Sequence, residues 1–226
     1  MNFIHILMEN SAKKTAEYLL QINAIKLQPS NPFTWASGWK SPIYCDNRKT
    51  LSFPEVRSYI RDSFAEMINE LYPNADLIAG VATGAIAHGA LAADKLKLPF
   101  IYVRSGAKEH GLGNQIEGFF KPGQKVVVIE DLISTGGSSL SAVKALREAG
   151  CEVLGMVAIF TYEFKKASDG FAAENCTLHT LSNYSVLVET AAKSEYITQA
   201  EAETLKKWRV DPAGWGVCPP DPLKGG

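Results

Sequence analysis

The sequence predicts an α/β fold: a mostly parallel, twisted sheet flanked by helices, with a small N-terminal hairpin or hood region at about residues 12–50. Three observations lead there. Short β-branched runs alternate with stretches of helical periodicity, the pattern of strand–helix–strand units. Runs such as "LIAGV" and "VVVI" are apolar at every position, as strands covered on both faces are. The chain has 226 residues, enough for one large domain, and no internal repeat or linker divides it. Residues 1–216 therefore read as a single domain, and the proline- and glycine-rich end, 217–226, as a flexible tail.

Each element follows in order. A helix is expected over about Ala12–Ala24, then an irregular or hairpin segment, "FTWASGWKSPIYCDNR", from Phe33 to Arg48. Ser52 and Glu55 have the spacing of a capping box for a helix reaching about Leu71. "ADLIAGV" reads as a buried strand, "GAIAHGALAADKLKL" as a helix and "PFIYVR" as the next strand. A long loop runs from Ser105 to about Phe120. The run from Lys125 is too short for a helix and β-branched enough for a buried strand. From Ser138 onward Leu140, Val143, Leu146 and Ala149 recur at helical spacing, and Gly150 is a stop. "EVLGMVAIFTY" is a further strand, followed by a helix near Phe164–Ala173. "YSVLVETAAKSE" and "TQAEAETLKKWR" are terminal helices, the second capped by Thr198 with Glu201 three residues on.

Composition narrows the function. A net charge of −1 gives no attraction to nucleic acid or to an anionic membrane surface. No apolar stretch approaches the ~18 residues of a membrane span, and the N-terminus lacks a secretory pattern, so a soluble cytoplasmic protein is expected. Cys45, Cys151, Cys176 and Cys218 show no C-x-x-C spacing, and the four histidines no ligand spacing. Reduced structural thiols and no protein-held metal are the expectation.

The chemistry concentrates in "VVVIEDLISTGGSS", Val126 to Ser139. The strand ends in two adjacent carboxylates, Glu130 and Asp131. After Leu132 and Ile133 come the hydroxyls of Ser134, Thr135 and Ser138 around Gly136 and Gly137, and then a helix begins. Open α/β sheets bind ligands at this end of a strand. Hydroxyls, backbone N–H groups and the helix dipole suit an anion there, and the glycines let backbone approach it closely. A Walker loop is excluded because no lysine follows the glycines, and "GLGNQI" fails the dinucleotide fingerprint at its third glycine. Two carboxylates beside a phosphate make sense if they serve another part of the same ligand. Vicinal hydroxyls donate to carboxylates, so a sugar phosphate fits both halves. The bland alternative is an ordinary strand–helix turn with solvated acids.

These residues resemble the ribose-phosphate motif of the type I phosphoribosyltransferases, hydrophobic residues followed by two acids and a T/S-G-G/T loop. Two more stretches resemble the orotate phosphoribosyltransferases within that group: "FTWASGWKSPIYCDNR" and "YVRSGAKEHGLGNQIEG", Tyr102 to Gly118. The resemblance covers roughly residues 12–216, with the three motifs in matching order. It implies the type I phosphoribosyltransferase fold and transfer of a 5-phosphoribosyl group from its 1-diphosphate (PRPP) to orotate, in pyrimidine (UMP) biosynthesis. It implies Mg²⁺ held mainly by substrate, and a homodimer whose loops complete each other's sites. Carried over position by position, Lys108, His110 and Asp131 are catalytic. PRPP would be bound by Arg104, Lys108, His110, Glu130, Asp131, Leu132, Ile133, Ser134, Thr135, Gly136, Gly137 and Ser138. Orotate would meet Ser134 and Tyr44, with Lys40 and Arg48 as candidates for its carboxylate.

The chain departs from some relatives, which carry a lysine where Ala36 stands, another in the loop that here has Thr83 and Gly84, and an arginine after the strand ending "FTYEF". What anchors the orotate carboxylate stays open at this stage. Two other readings also stand: a purine phosphoribosyltransferase, which should not carry both orotate-like stretches, and a regulator that binds PRPP without turning it over. The regulator should lack the "KEHG" loop and carry a basic face.

Overall fold

A computed structural model describes residues 3–35, 38–104, 106 and 115–215, with side chains from Asn10 onward. Helix α1 spans Phe3–Gln21. It starts well before the expected Ala12, because no proline or glycine separates Phe3 from Ala12 and nothing stops the helix earlier. The N-terminal region is built from two small antiparallel pairs. Strand β1 (Ile25–Leu27), β2 (Phe33–Thr34), β3 (Lys40–Ser41) and β4 (Ile43–Cys45) pair as β1 with β4 and β2 with β3. A 3₁₀ turn over Asn47–Ser52 then leads into α2, Pro54–Leu71.

The expected capping box at the start of α2 does not form. Ser52 ends the 3₁₀ turn, Phe53 is the N-cap without a side-chain bond, and Pro54 takes the first helical position, where its missing N–H costs nothing. Glu55 instead accepts a hydrogen bond from the Tyr18 hydroxyl at 2.8 Å. At the other end of the chain Thr198 and Glu201 do make the reciprocal box that opens α7.

The main sheet contains β5 (Leu77–Val81), β6 (Phe100–Val103), β7 (Ile116–Glu117), β8 (Lys125–Ile133), β9 (Glu152–Thr161) and β10 (Leu178–Asn183). Their spatial order is β10-β9-β8-β5-β6-β7, all parallel except β7. Helices α3 (Ile86–Leu96), α4 (Gly137–Glu148), α5 (Lys165–Ala173), α6 (Tyr184–Lys193) and α7 (Gln199–Val210) complete the chain. Strand β10 was not expected. "LHTLSN" is mostly polar, as an edge strand with a single neighbour can be, so it lacks the continuous apolar run that marks the inner strands. Strand β7 likewise occupies part of the stretch expected to be loop.

Two apolar layers cover the faces. One joins α1, α2, α6 and α7 to the sheet, and Trp208 lies at its centre, fully buried with Tyr184 and Phe160. The Trp208 indole donates to the Lys40 carbonyl at 3.2 Å, tying α7 to the N-terminal hairpin. The other layer packs α4 and α5 through Val143, Leu146 and Phe171. From β5 the chain moves to β6 and β7 on one side, and β8, β9 and β10 build on the other. The strand order therefore reverses between β5 and β8, which opens a crevice at their carboxyl ends, the usual ligand position in open α/β sheets.

Candidate active site

The β8 strand continues through Ile133, so both acids stand at the end of the strand beside the β5–β8 crevice. Glu130 turns inward and is 4% exposed. Ser139, in the first turn of α4, donates its hydroxyl to Glu130 Oε2 at 2.9 Å, and the Asp131 N–H donates to Oε1 at 3.0 Å. Burial, and after it the charge of Asp131, hold the Glu130 carboxyl well above the usual carboxylate range. Asp131 is half-buried and lies across the crevice against Gly84, where a Cβ would overlap its carboxylate. Its backbone carbonyl accepts a hydrogen bond from Asn47 Nδ2 at 2.6 Å.

Beyond the acids the chain forms the expected cradle. Gly136, at φ +81°, is the N-cap of α4, and no side chain caps the helix. Ser134 and Thr135 are half-buried and Gly137 and Ser138 exposed, so this helix end opens outward. Uncapped N–H groups and the helix dipole favour an anion at such a point. Ile133 is fully buried and its carbonyl accepts from the Tyr162 N–H at 3.0 Å, which leaves its side chain to the core.

A cavity of about 320 Å³ adjoins the cradle, lined by Thr34, Trp35, Tyr44, Cys45, Leu132, Ser134 and Tyr162. The hairpin supplies one wall and the strand ends of β8 and β9 the other. Tyr162 stacks on Phe164 at 5.4 Å and meets Trp35 at 5.3 Å, and Tyr44 tilts against Phe33 at 5.6 Å. Burial pushes the Tyr162 phenol and the Cys45 thiol up, the latter with help from Asp131 and Asp46, so both are neutral donors at ordinary pH. A cavity lined by three aromatic rings with a few polar groups suits a heterocyclic base.

The expected site residues separate into three groups. Glu130, Asp131, Leu132, Ser134, Thr135, Gly136, Gly137 and Ser138 gather at this strand–helix junction, and Tyr44 and Ser134 face the cavity. Lys40 and Arg48 do not line it. Lys40 is exposed and donates to Thr34 Oγ1 at 2.8 Å, and Arg48 is 61% exposed and bonded to Asp46 at 2.7 Å. Arg104 follows β6, exchanging hydrogen bonds with Gln115 at 2.9 and 2.7 Å, and its guanidinium lies 3.6 Å from Glu117. The chain thus leaves and returns at one point beside the crevice, while Lys108 and His110 lie outside the described residues. Trp35, Cys45, Asn47, Gly84 and Tyr162 belong to the site but were not singled out as site residues from the sequence. Each had a signal: Tyr162 stands next to the end of an inner strand, Asn47, like Trp35 and Cys45, lies in the orotate-like stretch Phe33–Arg48, and Gly84 in the loop where some relatives carry a lysine.

A larger cleft of about 520 Å³ lies between α6 and α7 and shares no lining residue with the aromatic cavity. Its Arg209 is already paired with Glu163 at 2.8 Å. Nothing there resembles the charge arrangement at the crevice.

Comparison with known proteins agrees with this geometry. Residues 52–194 match the phosphoribosyl transferase domain family. A Bacteroides fragilis protein named orotate phosphoribosyltransferase is 57% identical over 208 residues, 92% of this chain and 98% of that one. The solved structure of orotate phosphoribosyltransferase from Aeropyrum pernix superposes with a TM-score of 0.70 at 26% identity, covering 81% of this chain and 99% of that chain. Leishmania donovani UMP synthase gives a TM-score of 0.74 at 25% identity over 88% of this chain, which spans only 42% of that longer chain. On the fold, the strand-end acids and these relatives, the chain belongs to the phosphoribosyltransferase family, in the branch of the orotate phosphoribosyltransferases.

Proposed function

We propose that this protein transfers the 5-phosphoribosyl group of PRPP to orotate, giving orotidine 5′-phosphate and diphosphate in UMP biosynthesis. The observation that carries the proposal is that one loop serves two sites. Leu132 and Ser134 wall the aromatic cavity and also belong to the segment joining the strand-end acids to the uncapped end of α4. A base in the cavity and a ribose phosphate on the loop are therefore neighbours, as a reaction at the anomeric carbon requires.

The residues divide the work. Backbone N–H groups of 135–138 and the Thr135 and Ser138 hydroxyls hold the 5′-phosphate. Asp131 accepts the ribose diol, and Glu130 joins it when the Ser139 contact gives way. Negative charge beside the ring stabilises the positive charge that builds as the diphosphate departs. Arg104, Lys108 and His110 neutralise the leaving diphosphate, and the loop excludes water. Tyr44, Trp35 and Tyr162 sandwich the pyrimidine, and Lys40, bonded to Thr34, and Arg48, which feels the charges of Tyr44 and Asp131, are the two candidates for its carboxylate.

The mouth presents oxygen donors, as a hard cation prefers. As the family resemblance implies, Mg²⁺ would be held mainly by the diphosphate and ribose oxygens near Asp131. When bound it neutralises charge on the leaving group. In a homodimer, Lys108 and His110 would act in the partner's site.

The test is a panel of bases incubated with PRPP and Mg²⁺, read by diphosphate release. Orotate should turn over, with hypoxanthine, adenine and uracil poor. Comparable turnover of a purine would overturn the reading, and binding of PRPP without any turnover would point to a regulator.

A further inference from the structure

We propose that Asn47 is a positioning residue for the transfer: it sets the distance between the base cavity and the ribose-binding strand end. The inference rests on the orotate-transfer reading of the site. Pairing between β5 and β8 runs to Gly80 with Ile129 and no further. Asp131 stands two residues beyond that point, so on that side β5 does not hold its backbone, although β9 still pairs with Glu130, Leu132 and Ile133 on the other side. Asn47, 84 residues away in sequence, donates to the Asp131 carbonyl at 2.6 Å instead.

The other contacts of Asn47 lead to the rest of the site. Its Oδ1 accepts from the Cys45 thiol at 3.3 Å, and Cys45 lines the base cavity. Its backbone carbonyl accepts from Thr50 Oγ1 at 2.6 Å. Thr50 in turn lies 3.4 Å from His88 Nε2, on the helix that follows the Gly84 loop. Asn47, Thr50 and His88 are each at most 2% exposed. Burying this many polar groups is costly unless every bond is made, and a fully bonded buried network holds one geometry. A line of hydrogen bonds thus runs from the cavity wall through one side chain to the backbone of the ribose-binding acid.

Such a device matters for a ligand that spans both half-sites. The base nitrogen and the anomeric carbon must meet within a few tenths of an ångström, and a misplacement of about 1 Å can cost 100-fold in rate. A sugar phosphate alone does not depend on that spacing.

The test compares two ligands on wild type, Asn47→Ala and Asn47→Asp. Ribose 5-phosphate fills only the sugar half, and orotidine 5′-phosphate fills both; calorimetry gives their affinities and steady-state kinetics the turnover. Asn47→Asp keeps the volume and the acceptor for the Cys45 thiol and replaces the amide donor, so it serves if the alanine variant does not fold. It is read at pH 8 as well as pH 6, because only the ionised carboxylate lacks a donor for the Asp131 carbonyl. Both variants should bind ribose 5-phosphate within about threefold of wild type. Each should lose about tenfold or more in affinity for orotidine 5′-phosphate, with turnover down about 10- to 100-fold. Equal losses for the two ligands would mean that Asn47 merely supports the fold, and no loss for either would leave it without a role; each overturns the proposal. A wild-type protein that neither turns over orotate nor binds orotidine 5′-phosphate would instead remove the functional reading on which the proposal stands.

Discussion

Gly84 and Asp131 touch across the crevice so closely that a Cβ on Gly84 would overlap the Asp131 carboxyl group. The loop after β5 thereby places the acid at the end of β8. Gly84→Ala should displace that carboxylate and lower kcat about 100-fold. The position is a half-buried loop at the mouth, so the melting temperature should change little. A variant with wild-type kinetics would show that the carboxylate is not held where catalysis needs it.

Glu130 trades stability for charge. Its folded pKa is raised, so the fold favours the protonated carboxyl; that contribution is present below the ordinary carboxylate pKa and fades as pH climbs through the raised value. Glu130→Gln keeps polar partners for Ser139 and the Asp131 N–H without the buried charge. The ligand-free variant should melt higher than wild type, by about 2–4 °C per kcal/mol gained, and the gap should widen from pH 5 to pH 8. Activity should fall sharply because the diol loses a charged acceptor. Thermal scans across pH, beside an activity assay, decide it; a gap that narrows with rising pH contradicts the assignment.

Tyr44 is 42% exposed and forms one wall of the base cavity. Stacking of an aromatic side chain on a base contributes about 1–3 kcal/mol. Tyr44→Ala should therefore raise KM for orotate about tenfold or more and leave KM for PRPP nearly unchanged. Equal effects on the two substrates would place the pyrimidine elsewhere.

Lys108 is expected to act in the partner's site. Two-fold dimers are the commonest closed assembly, and the chain leaves the sheet for this loop at Arg104, beside the crevice. Lys108→Ala chains and Asp131→Asn chains, each folded but inactive alone, should rebuild one good site per mixed dimer. With random pairing about half the dimers are mixed, so about a quarter of wild-type activity should return. No recovery, with mixed dimers confirmed by mass, would mean that the loop acts within its own subunit.

Much of this architecture was legible because it is local. β8 and α4 are a β-branched run, two glycines and an apolar helical stripe in succession, and the terminal box at Thr198 needs only neighbours in sequence. What escaped depends on distant partners. Polar β10 is a strand because β9 lies beside it; the missing Ser52 cap is the local exception, because Pro54, two residues on, starts the helix. The same distinction divides the site. The acids and the cradle are contiguous, but Asn47, Gly84 and Tyr162 reach them from three different elements. Lys40 and Arg48 were named as the cations of the orotate-like stretch, and their local partners, Thr34 and Asp46, decide where those charges sit.

The central claim is that the strand-end acids, the α4 cradle and the hairpin cavity are one nucleotide site, and a crystal structure with orotidine 5′-phosphate tests it most directly. The phosphate should lie against the N–H groups of 135–138, the diol on Asp131, and the pyrimidine among Tyr44, Cys45, Ser134 and Tyr162. A nucleotide bound with its phosphate away from α4, or with its base outside that cavity, would contradict it.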